Sequence, residues 1–227
     1  MYHGIGINPD PENRLLVSLK DFQRQMLFLK ESGYNVIPLS ALAELIRHKK
    51  KIPSKTLSIT FDDGYKDNYT LAYPVLKKYG LPATIFVIYN EVGTGGKLSW
   101  QDIMKMQDDG LVTIASHTLN HRALVDVQSE EELRREIFDS KKLLEEKLGR
   151  VVDIFSYPIG AFNAHIRQLV IDAGYKLSVA TNPGKDYPKN DLFALKRLRI
   201  SSSSSNLLVF AIEISGFYTF IKEHRDD

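Results

Sequence analysis

The chain of 227 residues contains no cysteine. That absence excludes disulfide scaffolds, thiolate metal sites and cysteine nucleophiles, so any metal must be held by His, Asp or Glu. No run approaches the ~18 consecutive apolar residues that a membrane-spanning helix needs. The chain also opens without the charged-then-apolar pattern of an export signal. Neither sign of charge dominates: 30 basic residues stand against 28 acidic ones, for a net charge of +2. That balance argues against a nucleic-acid partner. The clearest basic cluster, His48 to Lys51, reads as a solvated helix end with lysines near the negative end of the dipole. No fixed-period repeat or long linker divides the chain, and the one biased patch, Ser201 to Ser205, reads as a loop before a last helix. We therefore expect one domain over residues 1–227.

Against these absences stands a regular alternation of two kinds of segment. Six β-rich runs are Leu57–Phe61, Thr84–Ile88, Val112–Ala115, Val151–Ser156, Lys176–Ala180 and Leu195–Ile200. Between them lie helical patterns with readable starts and stops. Ser18 with Asp21 forms a capping-box signal, Phe22, Met26 and Leu29 form one face, and Gly33 ends it. Ser99 with Asp102 opens a second helix that stops at Gly110. Ser129 with Glu132 opens a third, with Leu133, Ile137, Leu144 and Leu148 on its buried face and Gly149 at its end. Asn163 opens a fourth, which Gly174 ends, and Asp67 and Asn68 start another. Such alternation predicts parallel strands joined by crossover helices, either closed into a β/α-type barrel or open as a doubly wound sheet. In both, chemistry belongs at the C-terminal ends of strands.

Three such ends carry reactive side chains: Asp62-Asp63-Gly64-Tyr65, Ser116-His117-Thr118-Leu119-Asn120-His121 and Ser156-Tyr157-Pro158-Ile159-Gly160. Alone, Asp-Asp-Gly is an ordinary turn, and His-x-x-x-His is an ordinary pair on a helix face. Together, two imidazoles and one carboxylate make a facial metal set with open positions. Thr118 stands where a His-Glu-x-x-His site would carry its base, so the base must come from elsewhere. Consecutive residues leaving a strand point different ways, so the Asp doublet can supply one ligand and one base.

The strings TFDDGY (Thr60–Tyr65), SHTLNH (Ser116–His121) and SYPIG (Ser156–Gly160) resemble, in order and spacing, the polysaccharide deacetylase family, the NodB-homology group of carbohydrate esterase family 4. The likeness covers about residues 1–200. Met1-Tyr2-His3 and Leu98-Ser99-Trp100 resemble the poly-N-acetylglucosamine deacetylase branch associated with biofilms. The resemblance implies an α/β fold, a distorted (β/α) barrel of about seven strands, circularly permuted relative to the standard family. It implies one divalent metal, zinc with cobalt or nickel as alternatives, held by Asp63, His117 and His121. It makes Asp62 the general base for the attacking water, and the backbone N–H of Ile159 an oxyanion donor aimed by Pro158 and Gly160.

The family's usual late-strand His is missing, and the permutation offers His3 as the general acid in its place, with His165 a poor rival inside a helix. Ser156 stands where many relatives carry an Arg directed at the base, and Arg197 or Arg199 can reach in from the Leu195–Ile200 run, where alternation puts both on one face. Tyr65, Trp100 and Tyr157 are candidate groove walls for sugar rings. The implied partner is an acetylated amino-sugar polymer handled outside the cytoplasm, poly-β-1,6-N-acetylglucosamine or a relative of it. O-acetyl xylan, chitin and peptidoglycan are alternative substrates. A non-catalytic carbohydrate-binding or matrix protein on the same fold is the rival reading.

Overall fold

The computed structural model describes residues 1–10, 12–181 and 191–215. The chain runs β1 (Gly4–Gly6), β2 (Leu16–Ser18), α1 (Leu19–Glu31), β3 (Asn35–Val36), α2 (Leu39–Arg47), β4 (Thr56–Leu57), β5 (Ile59–Phe61) and α3 (Tyr73–Tyr79). It continues with β6 (Ala83–Val87), α4 (Trp100–Asp108), β7 (Val112–Ser116), α5 (Glu130–Arg134), α6 (Ser140–Leu148), β8 (Ile154–Ser156), α7 (Ala164–Asp172), β9 (Leu177–Ala180), β10 (Leu195–Lys196) and α8 (Leu207–Ile214). β5 to β10 form one parallel sheet in sequence order. No described helix is long and apolar enough to cross a membrane.

The sheet curls, and the N-terminal segment joins its two edges. On one side Tyr2 N donates to Thr60 O at 2.8 Å and Asp62 N donates to Tyr2 O at 3.0 Å. On the other, Met1 N donates to Leu198 O at 2.8 Å and Ile200 N to Met1 O at 2.9 Å. Met1 and Tyr2 thus serve as a seventh, parallel element between β5 and the chain that follows β10. The expected barrel-like architecture is observed. The Leu195–Ile200 run is not one strand, however: β10 ends at Lys196, because beyond Arg197 the backbone turns from β9 to pair with Met1.

Side-chain alternation then sorts the strands into two faces. Ile59, Phe61, Ala83, Ile85, Val87, Val112, Ile114 and Phe155 share the larger core with α1, α3, α4 and α6. Phe86, Ala115, Ile154, Leu177, Val179 and Leu195 face the other way and pack with Leu39 and Ala43 of α2. Parity extends the second set to Asp62, His117, Ser156 and Arg197 at the strand ends. The functional side chains therefore share the inner face, and their floor is Phe86, whose ring lies 6.3 Å from that of His117 and 5.2 Å from the Arg197 guanidinium.

The helix boundaries follow the local signals. Ser18, Ser99, Ser129 and Asn163 cap α1, α4, α5 and α7 through their side chains, and Ser99 with Asp102 forms a complete capping box. One helix is interrupted: the segment from Ser129 to Gly149 passes from α5 to α6 through a π-helical turn at Arg135–Asp139. A second π-helical turn, Asn68–Ala72, precedes α3.

Candidate active site

Asp62 and Asp63 leave β5, His117 leaves β7, and Ser156 ends β8. Asp63 Oδ1 lies 3.6 Å from His117 Nε2 and 3.4 Å from His121 Nε2. One ligand atom from each of these three residues falls within 4.8 Å of the others, the one such group among the described residues. His117 is buried, and burial lowers its pKa to about 4, so the ring is neutral at physiological pH. Its Nδ1 lies 2.9 Å from Ser156 O, which fixes the tautomer with the proton on Nδ1 and the Nε2 lone pair facing the cluster. Asp63 Oδ1 is buried without a hydrogen-bond donor. A buried carboxylate oxygen facing two imidazole nitrogens with no proton to share is the arrangement a divalent cation satisfies. The residues present fit the metal that the sequence implies.

The backbone around these groups is unusual. Asp63 has φ +69°, Thr118 +69°, His121 +56° and Ile159 +53°. Such values are uncommon for residues with a Cβ, most of all for β-branched Thr and Ile, and they concentrate where function demands a side-chain direction that ordinary backbone cannot give. The His pair therefore does not ride on a helix face. His121 approaches through a left-handed turn closed by its N–H to Thr118 Oγ1 at 3.0 Å.

Asp62 lies beside the cluster, its Oδ2 3.9 Å from His117 Nε2. Both its carboxylate oxygens receive Arg197, from Nη1 to Oδ1 and from Nη2 to Oδ2, each at 2.6 Å. Burial by itself would raise the Asp62 pKa, but the Arg197 charge and then His117 outweigh it and hold the carboxyl well below the usual range. Ser156 Oγ accepts from Arg197 Nη2 at 2.9 Å. The small side chain at position 156 leaves room for a guanidinium delivered from two strands away. The choice left open between Arg197 and Arg199 is thereby decided: Arg199 is exposed. The two do not act from one face, because the chain leaves the β9 ladder between them.

His3 follows the Tyr2 bridge and is half-buried beside the Asp pair. Burial lowers its pKa, while Asp62 and Asp63 oppose that shift. Its Nδ1 is buried without a partner, and its carbonyl accepts from Asn68 Nδ2 at 2.8 Å. His165 is exposed and pairs with Glu130 at 2.7 Å, away from the cluster. Pro158 and Gly160 are buried in a tight turn, with Gly160 N donating to Tyr157 O at 3.0 Å. Gly160 has φ +76°, and a Cβ there would sit 2.9 Å from Thr181 N. The Ile159 side chain is exposed at this rim.

Tyr65 is half-buried with Lys97 Nζ 4.1 Å from its ring centre, and burial with Asp63 nearby raises its hydroxyl to about 12. Trp100 is half-buried at the start of α4 and packs on Tyr89 at 5.6 Å. Tyr157 is not a groove wall. It is 1% exposed, stacks on Phe162 at 4.2 Å, and donates its hydroxyl to Phe193 O at 3.0 Å. A buried phenol with a backbone acceptor is a core residue.

Sequence reasoning did not single out Lys97, which donates to Asp63 O at 3.0 Å and pairs with Glu91 at 2.8 Å. It also passed over Asn68 as a support for His3, and Glu136. All three act through backbone groups, which leave no residue-type pattern in the chain.

The polysaccharide deacetylase family model matches residues 49–178. A Bacillus subtilis (strain 168) protein named as a polysaccharide deacetylase, YxkH, is 36% identical over 205 residues, covering 90% of this chain and 71% of that protein. The Staphylococcus aureus poly-beta-1,6-N-acetyl-D-glucosamine N-deacetylase is 27% identical over 207 residues, covering 85% of this chain and 70% of its own length. Among solved structures, the Streptococcus pyogenes deacetylase PplD in complex with acetate superposes with a TM-score of 0.81 at 31% identity, over 92% of this chain and 94% of that one.

Proposed function

The chain belongs to the polysaccharide deacetylase family, and from that premise we propose that it removes N-acetyl groups from a polymer containing N-acetylglucosamine. The observation that carries the reading is the convergence of Asp63, His117 and His121 within 4.8 Å, with Asp62 held beside them by Arg197. Similarity to the Staphylococcus aureus enzyme favours a poly-β-1,6-linked substrate. We propose that the reaction on such a polymer takes place outside the cytoplasm.

Asp63, His117 and His121 would hold a divalent cation, zinc in the first instance. Bound there, the cation supplies polarisation of the acetyl carbonyl and a lowered pKa for water. Asp62 takes the proton of the attacking water at its carboxylate. Arg197 keeps that carboxylate ionised and fixed in direction. The water oxygen bonds to the acetamide carbon, and the Ile159 N–H stabilises the negative charge that develops on the carbonyl oxygen. The C–N bond then breaks, and His3 gives a proton to the leaving amine, so acetate and a free amino sugar result. The exposed side chains of the rim, Ile159 with the partly exposed Tyr65 and Trp100, supply apolar surface for sugar rings.

The test is acetate release across a panel of N- and O-acetylated glycans, before and after metal removal by chelator. We expect release from N-acetylglucosamine polymers that chelation abolishes and metal restores. Release unaffected by chelation would remove the metal reading. Preference for O-acetyl xylan would overturn the substrate.

A further inference from the structure

Glu136 is a buried carboxylate that the reaction does not use. It is 3% exposed and stands in the π-helical turn Arg135–Asp139, between α5 and α6. Among the described residues no basic side chain neutralises it. Its oxygens are spent on the loop that carries the two histidines: Oε2 accepts Leu119 N and Asn120 N, both at 3.0 Å, and Oε1 accepts Asn120 Nδ2 at 2.7 Å. From the other side the loop is held by its carbonyls. Tyr89 N donates to Thr118 O and Asn90 N to Leu119 O, each at 3.1 Å, while Asn90 Nδ2 donates to Asn120 Oδ1 at 2.7 Å. The first residue of α6, directly after the π-helical turn, reaches the start of the loop, where Ser116 Oγ donates to Ser140 Oγ at 3.0 Å.

We infer that Glu136 is the positioning residue that holds the His117–His121 loop in its ligand-presenting form, so that metal affinity depends on a carboxylate that never touches the metal. The inference rests on the metal-site reading above. Its physical basis is the backbone of the loop. Thr118 and His121 both adopt positive φ, so the loop's relaxed state lies elsewhere and some external group must offset the cost of the observed one. Leu119 and Asn120, between those two residues, turn successive N–H groups to one side, and a single carboxylate oxygen collects both. From this stretch Glu136, Ile137 and Ser140 all face inward.

The test uses the full chain stripped of metal, with Zn2+ and Co2+ as the probes in competition with a chromophoric chelator. Glu136→Ala and Glu136→Gln are compared with the parent, and each variant's folding is followed by thermal melting. We expect metal dissociation constants raised about 10- to 100-fold in Glu136→Ala. Glu136→Gln, which keeps one acceptor oxygen for the two backbone donors, should fall between Ala and the parent. A purely structural role would lower the melting temperature and leave the affinity of the folded protein unmoved, so affinities within twofold of the parent overturn the inference. If Glu136→Ala does not fold, Glu136→Gln and Asn120→Ala carry the same measurement with the same criterion. A parent protein that binds neither metal overturns the underlying site reading, and the inference with it.

Discussion

At the scale of single residues, the proposed chemistry turns on the Asp62–Arg197 pair. Both partners are buried, and the geometry is bidentate. A carboxyl with a depressed folded-state pKa adds stability above its unfolded value, and that stability is lost as pH falls through the folded value. Removing the guanidinium leaves a buried, unpaired charge. Arg197→Met should therefore cost about 3–5 kcal/mol, read by urea unfolding. It should also move the acid limb of the kcat/KM profile to higher pH, because burial then raises the Asp62 pKa without the Arg197 charge to oppose it. An acid limb at its original pH would show that Arg197 does not hold Asp62 ionised. Asp62→Asn keeps the shape of the base and removes its basicity. It should retain metal after dialysis and lose about 10²- to 10⁴-fold in acetate release; undiminished turnover would remove Asp62 as the base.

The element scale shows which local structure was readable. The caps Ser18, Ser99, Ser129 and Asn163 stand where their spacing to Asp21, Asp102, Glu132 and Ile166 puts them, because a cap is a contact between residues three apart. The π-helical turns were not legible. A single i→i+5 turn shifts the apolar pattern by one residue, which lies within the scatter of any amphipathic helix. The short strands β1 to β3 also escaped, since they stand outside any longer β-rich run and two or three residues carry no period. In the turn after β8, Gly160→Ala places a methyl at φ +76° against the Thr181 backbone. We expect a loss of at least about 1–3 kcal/mol, measured by denaturant unfolding, with reduced activity as the neighbouring Ile159 N–H shifts. Unchanged stability would mean the turn relaxes freely.

For the whole molecule, the decisive feature is a two-residue bridge. Met1 and Tyr2 hydrogen-bond to both edges of the curled sheet, which brings Arg197 from one edge against Asp62 on the other. Tyr2 also packs between Phe22 and Phe61 at 5.3 and 5.4 Å and donates its hydroxyl to Gln25 Oε1 at 2.9 Å. Tyr2→Ala should cost about 3–5 kcal/mol in chemical unfolding, the range for a buried aromatic. It should lower activity more than a core substitution of equal cost far from this seam, such as one at Leu148. Equal losses at both places would show that closure does not tune the site.

Three motifs written in local order sufficed to identify the family and to single out the Asp-His-His group and the Asp62 beside it, because each lies within six consecutive residues at a strand end. Parallel strands themselves were legible from alternation of β-rich runs and capped helices. The sequence could not choose between Arg197 and Arg199, keep Tyr157 in the core, or reveal Glu136 and Asn68. Those assignments depend on contacts between residues 16 to 135 positions apart. Chain curvature and backbone carbonyls decide such contacts, and neither is written in residue type.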